Sequence, residues 1–305
     1  MPVYFLKKFV LFIWLSLLFA CTNKPVQNSV VNNKNDDSSF ALRVLCYNIH
    51  HANPPSRPDI IDLDAIANVI KKEQPHLVAL QEVDVFTERS GKSIHQAEKL
   101  AGMTGMKAYF AKAIDYGGGE YGVAILSRLP MEAMQNIPLP TAAGTKGEPR
   151  TLATAVITLP QGQKILFAST HLDAQQQDTN RLLQINRIVE VLKLEKLPVV
   201  IAGDFNSVAG TLIINVLDSY FTRTCTTNCG FTIPEINPTR TIDFIAYTPA
   251  NAFSVTDHYV VDEKYASDHL PVASVLRVNS SFSHFDRRLR NLPKVHIEIP
   301  SRNFV

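Results

Sequence analysis

The chain has 305 residues, 46% of them apolar and 19% charged, with a formal net charge of +2. That is enough to bury a sizeable core and suits a single large catalytic domain. Without Lys7 and Lys8 the basic and acidic residues balance at 28 each, which argues against a polyanion as the main partner.

The first twenty residues hold Lys7 and Lys8, no acid, and a largely apolar twelve-residue run from Phe9 to Ala20 that ends against Cys21. This is the layout of a signal peptide over residues 1–20. Twelve residues fall short of the ~20 that a helix needs to cross a bilayer core, so export and removal is favoured over a retained anchor. Leu18-Phe19-Ala20-Cys21 resembles a bacterial lipobox, with Phe19 bulky for that pattern. The expectation is a cell-envelope lipoprotein, periplasmic or outer-membrane, tied to the membrane through lipidated Cys21. An ordinary signal peptide, and a secreted protein, is the alternative. Residues 21–39 are polar and Asn/Ser-rich without periodicity, as expected of a flexible tether.

The folded domain is expected over 40–278. Eight short apolar, β-branched runs read as strands: Leu42 to Tyr47, Leu77 to Gln81, Val123 to Ser127, Leu152 to Thr158, Lys164 to Ser169, Val199 to Ala202, Ile242 to Tyr247 and Val272 to Leu276. Leu63, Ile66, Ala67 and Ile70 after Asp62 predict an amphipathic helix with an N-cap. Leu182, Ile185, Val189 and Leu192 after Asp178 predict another. Strands outnumber helices and several follow one another directly, which favours a mixed-sheet sandwich over a doubly wound parallel sheet. Cys46 reads as a buried small residue. Cys225 and Cys229, in a Thr-rich loop, read as a small-loop disulfide, with zinc as the other reading. The segment 279–305 is a C-terminal extension; from Arg277 onward the chain carries six basic residues and two acidic ones.

Polar residues recur where these strands end. Asn48 follows Tyr47, Glu82 follows Gln81, His171 follows Thr170, and Asp204 and Asn206 follow Gly203. Asp243 opens Asp243-Phe244-Ile245, and Asp268-His269 stands just before Leu270-Pro271-Val272. Carboxylates and histidines at the ends of adjacent strands converge in space. Taken singly each has an ordinary reading, since an Asp or Asn after a strand is commonly a turn residue or a cap.

Asn48, Gln81-Glu82, Ser169-Thr170-His171-Leu172, Gly203-Asp204-Phe205-Asn206 and Ser267-Asp268-His269-Leu270-Pro271 resemble, in sequence and in order, the motifs of the endonuclease/exonuclease/phosphatase superfamily. The resemblance covers about residues 40 to 278. It implies an α/β (α+β) DNase-like fold, a four-layer sandwich of two mixed β-sheets flanked by helices, and metal-assisted hydrolysis of a phosphoester.

A phosphoester is shielded by its own negative charge, so the catalyst must neutralise oxygens, deliver water in line and stabilise the leaving oxygen. On that basis Glu82, with Asp268 or Asn48, would hold Mg²⁺ or Mn²⁺. Asp204 would activate the attacking water, and Asn206 and Asn48 would contact the substrate. His269, oriented by Asp243, would face the non-bridging oxygens or act as base. His171 would serve the leaving oxygen with Glu120 as its carboxylate partner.

Arg150, in Glu148-Pro149-Arg150, would reach phosphate or pin a loop through an ion pair, and Arg240 is ambiguous in the same way. Gly117-Gly118-Gly119 would cradle phosphate or simply turn. His50 and His51 are suggestive by position, with surface histidines as the default.

The expected enzyme is a monomeric phosphodiesterase or phosphatase acting on a lipid or small-molecule phosphoester outside the cytoplasm. A secreted nuclease acting on nucleic acid is the alternative, and a non-catalytic binding protein on this fold a distant one.

Overall fold

The computed structural model describes residues 40–279, together with Met1. The expected signal peptide, lipidated Cys21, tether and C-terminal extension therefore lie outside the described residues, apart from Met1 and Asn279.

In chain order the elements are β1 (Ala41–Asn48), α1 (Leu63–Glu73), β2 (Leu77–Val85), α2 (Gln96–Thr104), β3 (Lys107–Tyr116), β4 (Gly119–Ser127), β5 (Met131–Leu139) and β6 (Arg150–Thr158). There follow β7 (Lys164–His171), α3 (Thr179–Leu192), β8 (Val199–Asp204), α4 (Leu212–Asp218), β9 (Thr222–Arg223), β10 (Asp243–Thr248), β11 (Phe253–Val260) and β12 (Val272–Val278). They build two six-stranded sheets, ordered β11-β12-β1-β2-β4-β3 and β5-β6-β7-β8-β10-β9. Each sheet is mixed, with one parallel pair at its centre, β1 with β2 and β7 with β8.

Alternation along the strands assigns the layers. Val44 and Cys46 of β1 pack with Phe167, Val200 and Ile245 of the other sheet, while Leu45 and Tyr47 pack with Ile66 and Ile70 of α1. On the second sheet Leu166, Ile201 and Phe244 turn outward onto Ile185 and Ile188 of α3 and Ile214 of α4. Both faces of the central strands are covered, which is why those strands read as unbroken apolar runs.

This layering explains which elements the sequence pattern reveals. The strands not foreseen, β3, β5, β9 and β11, are all at or next to a sheet edge, where half-exposed faces carry residues such as Lys112, Glu132, Asn136 and Asp257. The short helices α2 and α4 also escape the periodic pattern. Asp62 caps α1, its side chain accepting from Ala65 N at 2.9 Å. Asp178 does not cap α3; its carboxylate is taken instead by the Arg181 guanidinium at 3.0 Å.

The parallel pairs set the position of the site. The C-terminal ends of β1, β2, β7 and β8 share one rim of the sandwich. Because β10 and β12 run antiparallel to β8 and β1, their N-terminal ends return to the same rim. Asp204 stands in register with both His171 and Asp243. Strand β2 does not stop at Gln81 but continues to Val85 through a bulge, with Glu82 at φ 57° and the pairing to β4 interrupted between Leu80 and Val83. Such a bulge re-aims a side chain out of the ladder.

Candidate active site

The Asp204 carboxylate is the hub of the rim. Its Oδ1 accepts from Asn206 N at 2.8 Å, fixing the turn in which Asn206 takes φ 47°. Its Oδ2 accepts from Asn48 Nδ2 at 3.1 Å and faces Nε2 of His171 at 3.4 Å and Nε2 of His269 at 3.8 Å. Asp204, Asp243, His171 and His269 are all buried.

His269 is held from behind. Its Nδ1 donates to Asp243 Oδ2 at 2.9 Å, which directs Nε2 toward Asp204. Its backbone N donates to Ser267 Oγ at 3.2 Å, and that hydroxyl donates to Asn48 O at 2.7 Å, tying the loop before β12 to the end of β1. Burial lowers the His269 pKa, but Asp243, Asp204 and Asp268 outweigh it and keep the imidazolium favoured. Burial and the nearby Asp243 push the Asp204 carboxyl upward. A proton acceptor with a raised pKa lies between the two histidines.

His171 is enclosed differently. Its Nδ1 lies 3.3 Å from Arg150 Nη1, and its Nε2 lies 3.0 Å from Asn206 Nδ2, which also donates to Leu172 O at 2.9 Å. Burial and the Arg150 charge push its pKa well down. Arg150 is buried, and its guanidinium pairs with Glu148 at 2.9 Å, so it reaches His171 from inside the fold.

The carboxylate expected beside His171 is not Glu120. That side chain lies 40% exposed on the β4 hairpin, in register with Asp115 and Val85, and pairs with Lys112 Nζ at 3.2 Å. Asp204 is the carboxylate that His171 faces.

Gly117 and Gly118, at φ 52° and 77°, form the two-residue turn joining β3 to β4 rather than a phosphate cradle. Arg240 is exposed, its backbone bridged to Ile233.

Glu82 forms the second half of the site. Its Oε1 accepts from Asn48 Nδ2 at 3.1 Å, so that one amide group joins the Glu82 and Asp204 carboxylates. Asn48 Oδ1 accepts from His50 N at 3.0 Å, which fixes the side chain whose amide group links the two carboxylates. Burial pushes the Glu82 carboxyl up, but the nearby His51, the Asn48 hydrogen bond and the close His171 and His50 hold it well below the usual carboxylate range. An ionised, 23% exposed carboxylate with ring nitrogens close by suits a divalent cation. Asp268, next to His269 in sequence, is partly exposed and in contact with Ser267 Oγ at 3.4 Å.

A second cluster, Asp204, Asp243 and His269, also has ligand atoms close enough to share an ion. There Asn48 already bonds Asp204 Oδ2 and His269 bonds Asp243 Oδ2, while Asp243 Oδ1 is buried with no hydrogen-bond partner among the described residues.

His50 and His51 are not surface-loop histidines. They are half-buried in the turn after Asn48, with His51 Nδ1 3.9 Å from Glu82 Oε2. Cys46 is buried. Cys225 and Cys229 form a disulfide.

The chain matches the model of the Endonuclease/Exonuclease/phosphatase family over residues 45–269. Among solved structures it is similar to an endonuclease/exonuclease/phosphatase from Beutenbergia cavernae, at 25% identity over 78% of this chain and 72% of that one, with a TM-score of 0.63. The Bacteroides thetaiotaomicron mannosyl-6-phosphatase shares the fold at 20% identity, 77% and 99% coverage and a TM-score of 0.62. The human Nocturnin catalytic domain with bound sulfate does so at 19% identity, 79% and 96% coverage and a TM-score of 0.61. No curated protein matches the chain in sequence.

Proposed function

The chain belongs to the Endonuclease/Exonuclease/phosphatase family, whose reaction is phosphoester hydrolysis, and we propose that it is a divalent-metal-dependent phosphodiesterase or phosphatase acting on a lipid or small-molecule substrate outside the cytoplasm. The observation that carries the reading is the Asp204 carboxylate, raised in pKa and flanked by two buried histidine Nε2 atoms.

Glu82 with Asp268 would hold the cation, which would supply charge neutralisation at the phosphate oxygens. The remaining chemistry belongs to side chains. Asp204 accepts the proton of the attacking water, a role that a raised pKa favours near neutral pH. His269, oriented by Asp243, presents Nε2 to the phosphate oxygens. Asn206 turns its amide from His171 to the same group, and His171 Nε2, released from that contact, donates to the departing oxygen.

The near-neutral charge balance supports a small or lipid phosphoester over a polyanion. The mannosyl-6-phosphatase with the same fold is a precedent for a small substrate. The Cys21 motif supports attachment to the cell envelope. In a Gram-negative host the protein is expected to partition with membranes, and Cys21→Ser to release it; an acylated, anchored Cys21→Ser variant rejects the lipobox.

The test of function is hydrolysis of nitrophenyl phosphate mono- and diesters before and after EDTA. Loss on chelation, recovery with Mn²⁺ or Mg²⁺, and inactivity of Asp204→Asn are expected. Full activity of a demonstrably metal-free preparation overturns the reading. A panel of phospholipids, nucleotides, inositol phosphates and DNA then assigns the substrate class, and a clear preference for DNA replaces the small-molecule proposal.

A further inference from the structure

Two consecutive histidines adjoin Glu82 and take no part in the hydrolysis described above. His50, His51 and Ala52 follow in one tight turn at φ 46°, 44° and 60°, left-handed values that residues with a side chain seldom adopt. Conformations of this kind persist where surrounding contacts impose them, and they gather at functional sites. Here the contacts are evident. His50 N donates to Asn48 Oδ1 at 3.0 Å, Gln96 Nε2 to His51 O at 2.7 Å, and Asp62 N to Ala52 O at 2.7 Å.

The turn brings a ring nitrogen of each histidine and a Glu82 oxygen within 4.8 Å of one another. His51 Nδ1 is buried, and among the described residues it has no hydrogen-bond partner. Its 3.9 Å separation from Glu82 Oε2 is too long for a hydrogen bond. A cation about 2.0 to 2.2 Å from each atom fits that gap. His50 donates its Nδ1–H to Asn53 O at 2.8 Å, so in the neutral ring Nε2 keeps a free lone pair. A backbone carbonyl holding the far ring nitrogen is the usual way in which a metal-binding histidine is oriented.

We propose that His50 and His51 join Glu82 in a nitrogen-bearing divalent-cation site, so that the enzyme prefers a first-row transition cation such as Mn²⁺ to Mg²⁺. The preference follows from ligand chemistry, since imidazole suits transition cations while Mg²⁺ favours oxygen ligands and water. The proposal rests on the reading that Glu82 holds the cation, and it replaces an all-oxygen ligand set with a mixed one.

The test is pulsed electron paramagnetic resonance of Mn²⁺ added to the full chain, with Mn²⁺ and Mg²⁺ affinities measured in parallel by calorimetry. Expected are ¹⁴N couplings of imidazole type in the parent, their loss in the His50→Gln/His51→Gln double variant, and Mn²⁺ affinity weakened at least about tenfold while Mg²⁺ affinity changes little. Mn²⁺ that binds the parent without ¹⁴N coupling, yet is lost in Glu82→Gln, overturns the histidine ligands and leaves the Glu82 site standing. Mn²⁺ binding indifferent to Glu82→Gln overturns both. Because the parent's spectrum decides the first question, a variant that fails to fold does not protect the proposal.

Discussion

Arg150 and His171 meet at 3.3 Å between Nη1 and Nδ1. Arginine has no acceptor, so it donates, and the Asn206 Nδ2 group that faces His171 Nε2 at 3.0 Å is likewise a donor only. Donors facing both ring nitrogens disfavour the imidazolium, so His171 is neutral, with Arg150 and Asn206 competing for its one lone pair. Its depressed pKa, from burial and the Arg150 charge, has the same consequence. The expected ¹⁵N signature is a neutral imidazole throughout the range where the enzyme is active. Arg150→Gln should raise the His171 pKa and lower kcat/KM on an alkyl phosphodiester by at least about tenfold, the scale of effect when a group orienting another is removed. A doubly protonated His171 at neutral pH in the parent would contradict this geometry.

The leaving-group role of His171 has its own measurement. A hydrogen-bond donor matters when the departing oxygen is a basic alkoxide and matters little for a nitrophenolate that leaves unaided. His171→Ala is expected to cost about 10²-fold or more on an alkyl ester and far less on the nitrophenyl ester. Equal losses on both substrates would move His171 from the leaving group to phosphate binding.

The Asp243–His269 bond of 2.9 Å predicts strong coupling. His269→Ala and Asp243→Asn should each remove most of the activity, and the double variant should be little worse than either, because both changes disrupt one orienting unit. Additive losses in kcat would show that the two residues act separately.

His76 supplies a pH dependence remote from the chemistry. Its Nδ1 accepts from Arg43 N at 2.9 Å; burial, with Arg43 and Arg128, lowers its pKa to about 4. The unfolded chain takes up this proton near pH 6.5, so the stabilising contribution is complete above that value and is lost as pH falls toward 4. The histidine is only half-buried, so the effect is a modest one. The urea midpoint should fall more between pH 7 and 4.5 in the parent than in His76→Gln. Equal falls in the two, or a His76 titration by NMR near 6.5, would refute it.

Much of this protein was legible in the one-dimensional pattern, for a physical reason. The central strands are buried on both faces, so β1, β2, β7 and β8 appear as apolar runs, and the groups that follow them, Asn48, His171, Asp204 and Asn206, stand out as polar residues where the run stops. The edge strands β3, β5 and β11 face solvent on part of their surface and leave no such trace. What tertiary structure decided was partnership. Glu120 looked like a carboxylate waiting for a histidine, but the hairpin register turns it to Lys112, while the parallel pairing of β7 with β8 sets His171 beside Asp204. Arg150 looked like a phosphate ligand or a loop pin, and burial places it behind His171. His50 and His51 looked like loop residues, and a left-handed turn folds them onto Glu82. Composition and periodicity record which face of an element is buried; which two side chains share a hydrogen bond depends on register, bulge and turn, and those are properties of the assembled sheets.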